Sequence, residues 1–301
     1  MFTVVPIESL DLPQLEHYRT MRRQAEHRAQ GIFVAEGEKV VRRLLESRFT
    51  VISALMPEKW LSDLEPLLRA RPETVAVYIA EKKLLETLTG FSMYQGLLAL
   101  GKIPPVPSLE TLLERSKRPW LFAAADGLTS AENLGAIVRN CAAFTVDGLI
   151  VGETCVSPFL RRAVRSSMGT IFQLPVIEIA GGVESSRLAT QGRGSVAVAP
   201  ELDHATMKAA LESLRERGVC CVAADAHAKT DLAHSNLVGD TCIVFGSEGY
   251  GISRELLDLC EEKVVIPMSE SVDSLNVASA VSVFLYEANR QRAKERDDRS
   301  E

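Results

Sequence analysis

The sequence has no long apolar run, although 46% of its 301 residues are hydrophobic. A membrane-spanning helix needs about 18 or more consecutive apolar residues, so we expect no membrane span. Residues 1–8 have no basic region before their apolar stretch, and signal peptides begin with one. We therefore expect a cytoplasmic protein.

Paired cysteines are also missing. None of the six cysteines forms a C-x-x-C pair, which is the spacing typical of zinc sites. Most lie in apolar stretches and are expected to be reduced core residues. They are Cys141, Cys155, Cys220, Cys221, Cys242 and Cys260. No metal centre is predicted.

The sequence has no overall excess of positive charge. Its net charge is −6 and its pI is near 5.6, which argues against a protein that coats nucleic acid nonspecifically. Local basic clusters remain, and each is either solvated surface or a basic face. They are Arg19, Arg22, Arg23 and Arg28, then Lys39, Arg42 and Arg43, then Arg161, Arg162 and Arg165.

The length and the prolines indicate two domains. A chain of 301 residues has room for about two, and Pro104, Pro105 and Pro107 are typical of a stiff linker. We predict a first domain at 1–103, a linker at 104–117 and a second domain at 118–301. Helix and strand signals alternate in the first domain, which predicts a small α/β domain. Its helices are predicted at 15–30 and 39–47, and its strands at 31–37, 51–56, 75–79 and 95–100.

The second domain alternates continuous apolar strands with helices. This pattern predicts an α/β fold with a mostly parallel sheet covered on both faces. Strands are predicted at 120–125, 148–151, 195–198, 219–224, 241–245 and 264–266, and helices at 133–144, 206–217, 253–260 and 275–292.

The first of three motifs follows the strand at 120–125. Asn133 is placed to cap the next helix, and Arg139 lies off that helix's apolar stripe. Arg139 is therefore able to face a ligand. The alternative is a capping Asn and a solvated Arg.

The second motif follows the strand at 241–245. Gly246, Gly249 and Gly251 permit backbone conformations that let a ligand approach closely. A phosphate is one such ligand, but the G-x-G-x-x-G order of dinucleotide folds is absent. Glu248 is the charged group of this turn, and its alternative interpretation is an exposed loop carboxylate.

The third motif joins the strand at 264–266 to the last helix. Pro267 ends the strand, and the backbone around Ile266, Met268 and Leu275 is suited to hold an adenine by apolar contacts and main-chain hydrogen bonds.

These three segments, in this order, resemble the motifs of the SpoU/TrmH-type RNA ribose methyltransferases of the SPOUT superfamily. The resemblance implies a deep trefoil knot in the second domain and a homodimer formed through it. It implies methyl transfer from S-adenosylmethionine to a ribose 2′-hydroxyl of RNA, with ribosomal RNA slightly favoured over tRNA. The segment 33–37 and the pair Gln95-Gly96 resemble parts of the family's N-terminal RNA substrate-binding domain.

The resemblance also implies roles for single residues. The catalytic set is Asn133, Arg139, Glu248, Ser274 and Asn276. The residues expected to bind S-adenosylmethionine are Phe245, Gly246, Gly251, Ile266, Met268, Leu275 and Asn276. The residues expected to contact RNA are Arg22, Arg23, Arg161, Arg162, Arg165 and Ser167. Arg139 either activates the hydroxyl or fixes a phosphate beside it, because a guanidinium normally stays protonated.

The sequence departs from the family pattern at four places. Ser130-Ala131 stands where Asp-Pro is usual, and Thr145 and Glu270 stand where Gly is common. Ala278 stands where Ser is common. These changes bear on the local geometry of the loops.

Other functions remain open at this point. One is a catalytically silent RNA-binding protein with the same fold, and another is a nucleotide-dependent oxidoreductase, which the missing glycine fingerprint disfavours. A base target is a variation within the methyltransferase class. The last helix carries Val281, Val283, Phe284 and Leu285, which form either a dimer face or part of the core.

Overall fold

The computed structural model describes residues 1–89, 96–179, 206–269 and 271–298. The chain forms two compact units. The first contains Met1–Pro105 and Phe159–Gln173, and the second contains Val106–Pro158 and Leu174–Glu301. The observed division differs from the predicted one, which had a single boundary, because the segment Phe159–Gln173 groups with the first unit. None of the helices within the described ranges has the length and apolar character needed to span a membrane.

The first unit contains a mixed sheet. In its described part the strands are β1 (Phe2–Pro6), β2 (Ile32–Glu36), β3 (Val51–Met56), β4 (Val75–Ile79) and β5 (Leu98–Lys102). Their order is β1-β4-β3-β5-β2, and β5 pairs antiparallel with both β2 and β3. The helices are α1 (Glu16–Arg19), α2 (Gln24–Ala29), α3 (Glu38–Glu46), α4 (Leu61–Arg69) and α5 (Lys82–Thr89). Gln95, one residue of the predicted resemblance, lies outside the described residues.

The predicted helix at 15–30 is two short helices. A turn separates them, closed by a hydrogen bond from the Arg23 N–H to the Thr20 carbonyl at 2.7 Å. Tyr18 is buried in α1, Met21 in the turn and His27 in α2. The turn therefore lets both helices bury side chains that one straight helix would place on different faces.

The second unit is built on a parallel sheet, as predicted. Its described strands are β6 (Leu121–Ala125), β7 (Gly148–Val151), β8 (Val176–Glu178), β9 (Cys220–Ala224), β10 (Thr230–Asp231), β11 (Thr241–Phe245) and β12 (Glu262–Val265). The order is β10-β12-β9-β11-β6-β7-β8, and every pair is parallel. The strand predicted at 195–198 lies outside the described residues. The short strands β8 and β10 were not predicted.

Helices cover this sheet. They are α6 (Leu109–Arg115) and α7 (Ala131–Ala143), then α9 (Met207–Glu216), α10 (Arg254–Leu257) and α11 (Val277–Asp298). Between α7 and α9 in the chain, α8 (Arg161–Ser166) belongs to the first unit. Helix α6 lies inside the predicted linker at 104–117. It forms because Ser108 caps it, its hydroxyl accepting the Thr111 N–H at 3.1 Å, and because Leu109 and Leu112 are buried in the core of the second unit.

Helix α7 begins two residues earlier than predicted. Its N-cap is Ser130, whose hydroxyl oxygen accepts the N–H of Asn133 at 3.2 Å, so the prediction that Asn133 is the cap is wrong. Ser is a good substitute for Asp as an N-cap, and Ala131 takes the first helical position that Pro favours. The Ser130-Ala131 departure therefore keeps the helix start, and the Asn133 side chain is left for other contacts.

The other end of α7 stores strain at Thr145. This residue has φ of 54°, in the left-handed region where a β-branched residue is costly by roughly 1–2 kcal/mol. We expect Thr145→Gly to raise the free energy of unfolding by about 0.5–1 kcal/mol, measured by urea denaturation. Thr145→Ala keeps the Cβ, so its free energy of unfolding should rise by less than that of the glycine variant. A glycine variant less stable than wild type would contradict this account.

The six cysteines are all free. Burial raises the pKa of Cys141 and Cys260 to about 12, and that of Cys155 and Cys220 to about 11. The thiolate is the reactive form, and all of the cysteines except the partly exposed Cys220 are buried, which agrees with the prediction that most are reduced core residues.

The last helix, α11, is fixed to α7 by two amides. The Asn140 side chain donates to the Ala278 carbonyl at 2.7 Å, and the Asn289 side chain donates to the Phe144 carbonyl at 2.8 Å. Of the apolar residues predicted on this helix, Val281, Phe284 and Leu285 are buried within the chain, whereas Val283 is exposed.

Candidate functional site

The three motifs meet at one edge of the second unit's sheet. All its strands are parallel, so their carboxyl ends lie together, and ligands of such sheets bind outside those ends. The loop after β6 leads to Asn133, the loop after β11 contains the glycines, and the loop after β12 carries the third motif. Strand β9 lies between β11 and β12.

The loop after β11 is closed on itself. Ser247 and Gly251 exchange two backbone hydrogen bonds of 3.0 and 2.9 Å, and Gly251 has φ of 68°. A Cβ on Gly246 would collide with the backbone of Gly251 and Ile252. The loop is therefore possible only because position 246 has no side chain.

A pocket of about 460 Å³ lies against this loop. This volume is within the range of small-molecule and cofactor sites. Six of the seven residues predicted to bind the cofactor line the pocket, namely Phe245, Gly246, Gly251, Ile266, Met268 and Leu275. Asn276, the seventh, is not a lining residue, although Ser274 and Glu248 are.

Asp225 and His227 also line the pocket, and neither is among the site residues predicted from the sequence. Their position in the sequence could have identified them, because polar residues that directly follow a buried parallel strand lie at the ligand edge of the sheet.

Three predicted catalytic residues form one hydrogen-bonded network. Glu248 Oε1 accepts from the Asn133 amide at 2.8 Å and from the Asn276 amide at 2.6 Å. The Asn276 amide also donates to Asn133 Oδ1 at 3.1 Å. Asn276 Oδ1 accepts the N–H of Ala278 at 3.0 Å, which caps α11. The network joins the three motifs, and we call it the Asn-Glu-Asn network.

Arg139 lies outside this network. It is exposed on α7, it does not line the pocket, and within the described ranges its guanidinium has no hydrogen-bond or ion-pair partner. All five N–H donors are thus available to an anionic ligand. Ser274 is also exposed. It lines the pocket but is not part of the Asn-Glu-Asn network.

Asp126 fixes the backbone next to the glycine loop. It is buried at the end of β6, and its Oδ2 accepts the N–H of Ser253 at 2.8 Å. The Thr154 hydroxyl donates to Oδ1 at 3.4 Å. This carboxylate fixes the chain just after the glycine loop, and Asp126 is not among the site residues predicted from the sequence.

The predicted RNA contacts in the segment 159–173 lie in the first unit. Arg161 pairs with Glu36, and Arg165 pairs with the same carboxylate at 2.9 Å. The Arg161 side chain is 14% exposed, whereas that of Arg165 is 59% exposed. Since a buried, paired guanidinium has little capacity left for a phosphate, only Arg165 of this pair presents surface to RNA.

The remaining predicted RNA contacts differ in exposure. Ser167 is fully buried, and its hydroxyl donates to the Val164 carbonyl at 2.7 Å and accepts the Gly169 N–H at 3.2 Å. In this structure it shapes a turn and is not accessible to RNA, which corrects its predicted role. Arg22, Arg23 and Arg162 are exposed.

No group of three or more His, Cys, Asp or Glu side chains able to hold a metal ion occurs in the described part of the chain. Glu270, the departure in the third motif, lies outside the described residues.

Comparisons with known proteins agree with the motif assignment. The family described as "SpoU rRNA Methylase family" matches residues 121–186 and 181–286, more than half of the chain. An uncharacterized tRNA/rRNA methyltransferase of Mycobacterium bovis is 30% identical over 285 residues, which cover 93% of this chain and 90% of the relative. The 23S rRNA (guanosine-2′-O-)-methyltransferase RlmB of Shewanella oneidensis is 30% identical over 233 residues, covering 76% of this chain and 84% of the relative.

A solved structure has the same fold. The SpoU methyltransferase AviRb from Streptomyces viridochromogenes, in complex with the cofactor AdoMet, superposes with a TM-score of 0.72 at 24% identity. The match covers 94% of this chain and 98% of that one. The three motifs lie at one sheet edge, and the family match and the Mycobacterium bovis relative agree with them. The chain therefore belongs to the SpoU rRNA Methylase family.

Proposed function

We propose that this protein transfers a methyl group from S-adenosylmethionine to the 2′-hydroxyl of a ribose in ribosomal RNA. The observation that carries the proposal is the pocket beside the Asn-Glu-Asn network, where loops from three separate motifs meet. The relatives named as 23S rRNA (guanosine-2′-O-)-methyltransferases support ribose and ribosomal RNA as the target. Transfer RNA is the second candidate, since other relatives are named tRNA/rRNA methyltransferases.

S-adenosylmethionine is the cofactor, and the pocket fits it. The lining near Ile266, Met268 and Leu275 offers apolar surface and backbone groups for an adenine. Gly246 allows the loop that forms part of the lining to close, because a Cβ there would collide with the backbone of Gly251 and Ile252. When bound, the cofactor supplies an electrophilic methyl group.

The chain's own residues then position the nucleophile. Arg139 offers five N–H donors and no acceptor, so it binds the phosphate beside the target ribose and stabilises negative charge that develops on the hydroxyl oxygen. The Asn-Glu-Asn network holds the start of α7 and the second- and third-motif loops in one arrangement, which keeps the reactants aligned. We prefer this role for Arg139 to that of a general base.

We also propose the knot and the homodimer. The strand order supports the knot, because β11 lies between β9 and β6 and β12 lies between β10 and β9, although both come later in the chain. The dimer proposal uses the outer face of α11, where Val283 is 39% and Tyr286 is 60% exposed.

For the first unit we propose RNA binding through the exposed residues Arg22, Arg23, Arg162 and Arg165. A protein that modifies ribosomal RNA works where that RNA is, so the cytoplasm stays our expected location.

The first test is calorimetric titration with S-adenosylmethionine. We expect wild type to bind and Asn276→Ala to bind about 10-fold or more weakly, because this change removes both an amide of the network and the cap of α11. Asn276→Ser is the matched control for the cap. It keeps an acceptor for the Ala278 N–H but removes the amide, so equal weakening in both variants assigns the effect to the network.

The titration is followed by methyl transfer to ribosomal RNA, with the product digested to nucleosides. A 2′-O-methyl nucleoside supports the proposal, and a methylated base contradicts the ribose assignment. Well-folded wild type that binds RNA but no S-adenosylmethionine, with or without RNA present, would favour the catalytically silent RNA-binding protein.

A further inference from the structure

Any ligand held by both the second and the third motif must pass over the end of β9. The second motif follows β11 and the third follows β12, and β9 lies directly between these strands. Ala224, the last residue of β9, is opposite Phe245 of β11 and Val264 of β12. The next residue, Asp225, therefore lies between the two motif loops.

Asp225 is held in place by two hydrogen bonds. Its N–H donates to the Val264 carbonyl at 3.0 Å, and its Oδ1 accepts the N–H of His227 at 2.9 Å. Its side chain is half-buried and lines the pocket. A carboxylate fixed in this way loses little conformational freedom when it binds a ligand.

The acceptor capacity of Asp225 remains largely unused. A carboxylate accepts about four hydrogen bonds, and within the described ranges only the His227 N–H donates to this one. By contrast, Oε1 of Glu248 already accepts two amides. Asp273 also lines the pocket, but it is exposed on the third-motif loop and no hydrogen bond within the described residues fixes its carboxylate.

We infer that Asp225 binds the ribose hydroxyls of the cofactor's adenosine and thereby selects a ribonucleoside ligand. A vicinal diol offers two O–H donors, which matches a fixed carboxylate with free lone pairs. A carboxylate that follows a strand at the ligand edge of a parallel sheet performs this task in dinucleotide-binding folds. The inference rests on the proposed function, because it takes S-adenosylmethionine as the pocket's ligand.

The test uses calorimetry with S-adenosylhomocysteine and with its 2′-deoxy and 3′-deoxy adenosyl forms. Wild type should bind the parent compound about 10- to 100-fold more tightly than at least one deoxy form, as expected for a hydroxyl bound to a charged acceptor. In Asp225→Asn the parent should bind about 10-fold or more weakly and the discrimination should disappear. The Asn oxygen can still accept the His227 N–H, so the turn is retained.

Asp258→Asn serves as the control, because Asp258 is exposed and does not line the pocket. It should bind all three compounds as wild type does. Wild type that binds the deoxy forms as tightly as the parent overturns the inference without any variant, and so does a folded Asp225→Asn that keeps the discrimination. Failure of wild type to bind either S-adenosylmethionine or S-adenosylhomocysteine overturns the proposed function itself, and the two failures are thus distinct.

Discussion

Gly246→Ala is expected to abolish S-adenosylmethionine binding. A Cβ at this position would collide with the backbone of Gly251 and Ile252, and backbone atoms cannot move aside as a flexible side chain can. The loop would have to open, which breaks the paired hydrogen bonds between Ser247 and Gly251 and displaces the pocket wall. We expect affinity to fall by at least about 100-fold, measured by calorimetry, since several ligand contacts are lost together.

Gly239→Ala is the matched control, because Gly239 is exposed and does not line the pocket. A Cβ on Gly239 meets no atom within 4 Å, and its backbone is not left-handed. This variant should bind S-adenosylmethionine within about threefold of wild type, as is usual for exposed surface substitutions. If both variants bound normally, the glycine loop would not form the wall of the cofactor site.

Arg139→Ala is expected to lower the rate of methyl transfer by about 100- to 1,000-fold, which is typical when one preorganised donor to developing negative charge is removed. S-adenosylmethionine affinity should stay unchanged, because Arg139 does not line the pocket. Single-turnover methyl transfer to ribosomal RNA, with the cofactor saturating, measures the rate, and calorimetry measures the affinity.

Two further variants separate a specific role from loss of charge. Arg139→Lys keeps the charge but loses the bidentate geometry suited to phosphate, so its rate should fall between those of wild type and alanine. Arg115→Ala removes an exposed guanidinium from α6 of the same unit and should leave the rate unchanged. A wild-type rate in Arg139→Ala would remove Arg139 from the catalytic set.

Local patterns predicted much of the second unit. The strands at 148–151 and 241–245 were placed at their observed bounds, because continuous apolar runs between turn residues leave few alternatives. The family could be predicted because three separated motifs occur in a fixed order, and the family match confirms it.

Long-range pairing accounts for what the sequence did not predict. Nothing near Glu36 in the sequence indicates that it pairs with Arg161, 125 residues away, so the arginines at 161 and 165 looked free. Residues 109–115 looked like linker because the prolines before them dominate the local pattern, although their leucines are buried. The position of Asp225 between two motif loops follows from strand order, which local periodicity does not contain.

The strand order also sets when the pocket can exist during synthesis. Strand β12 enters between β9 and β10, yet it is made after both of them. A nascent chain that ends before Glu262 therefore has β9 unpaired on one side and lacks the third motif entirely. Such sequence-distant pairings form slowly, so we place pocket assembly among the last steps of folding. Cofactor binding therefore requires that β12 and the third motif have been synthesised, and it stabilises only chains that contain them.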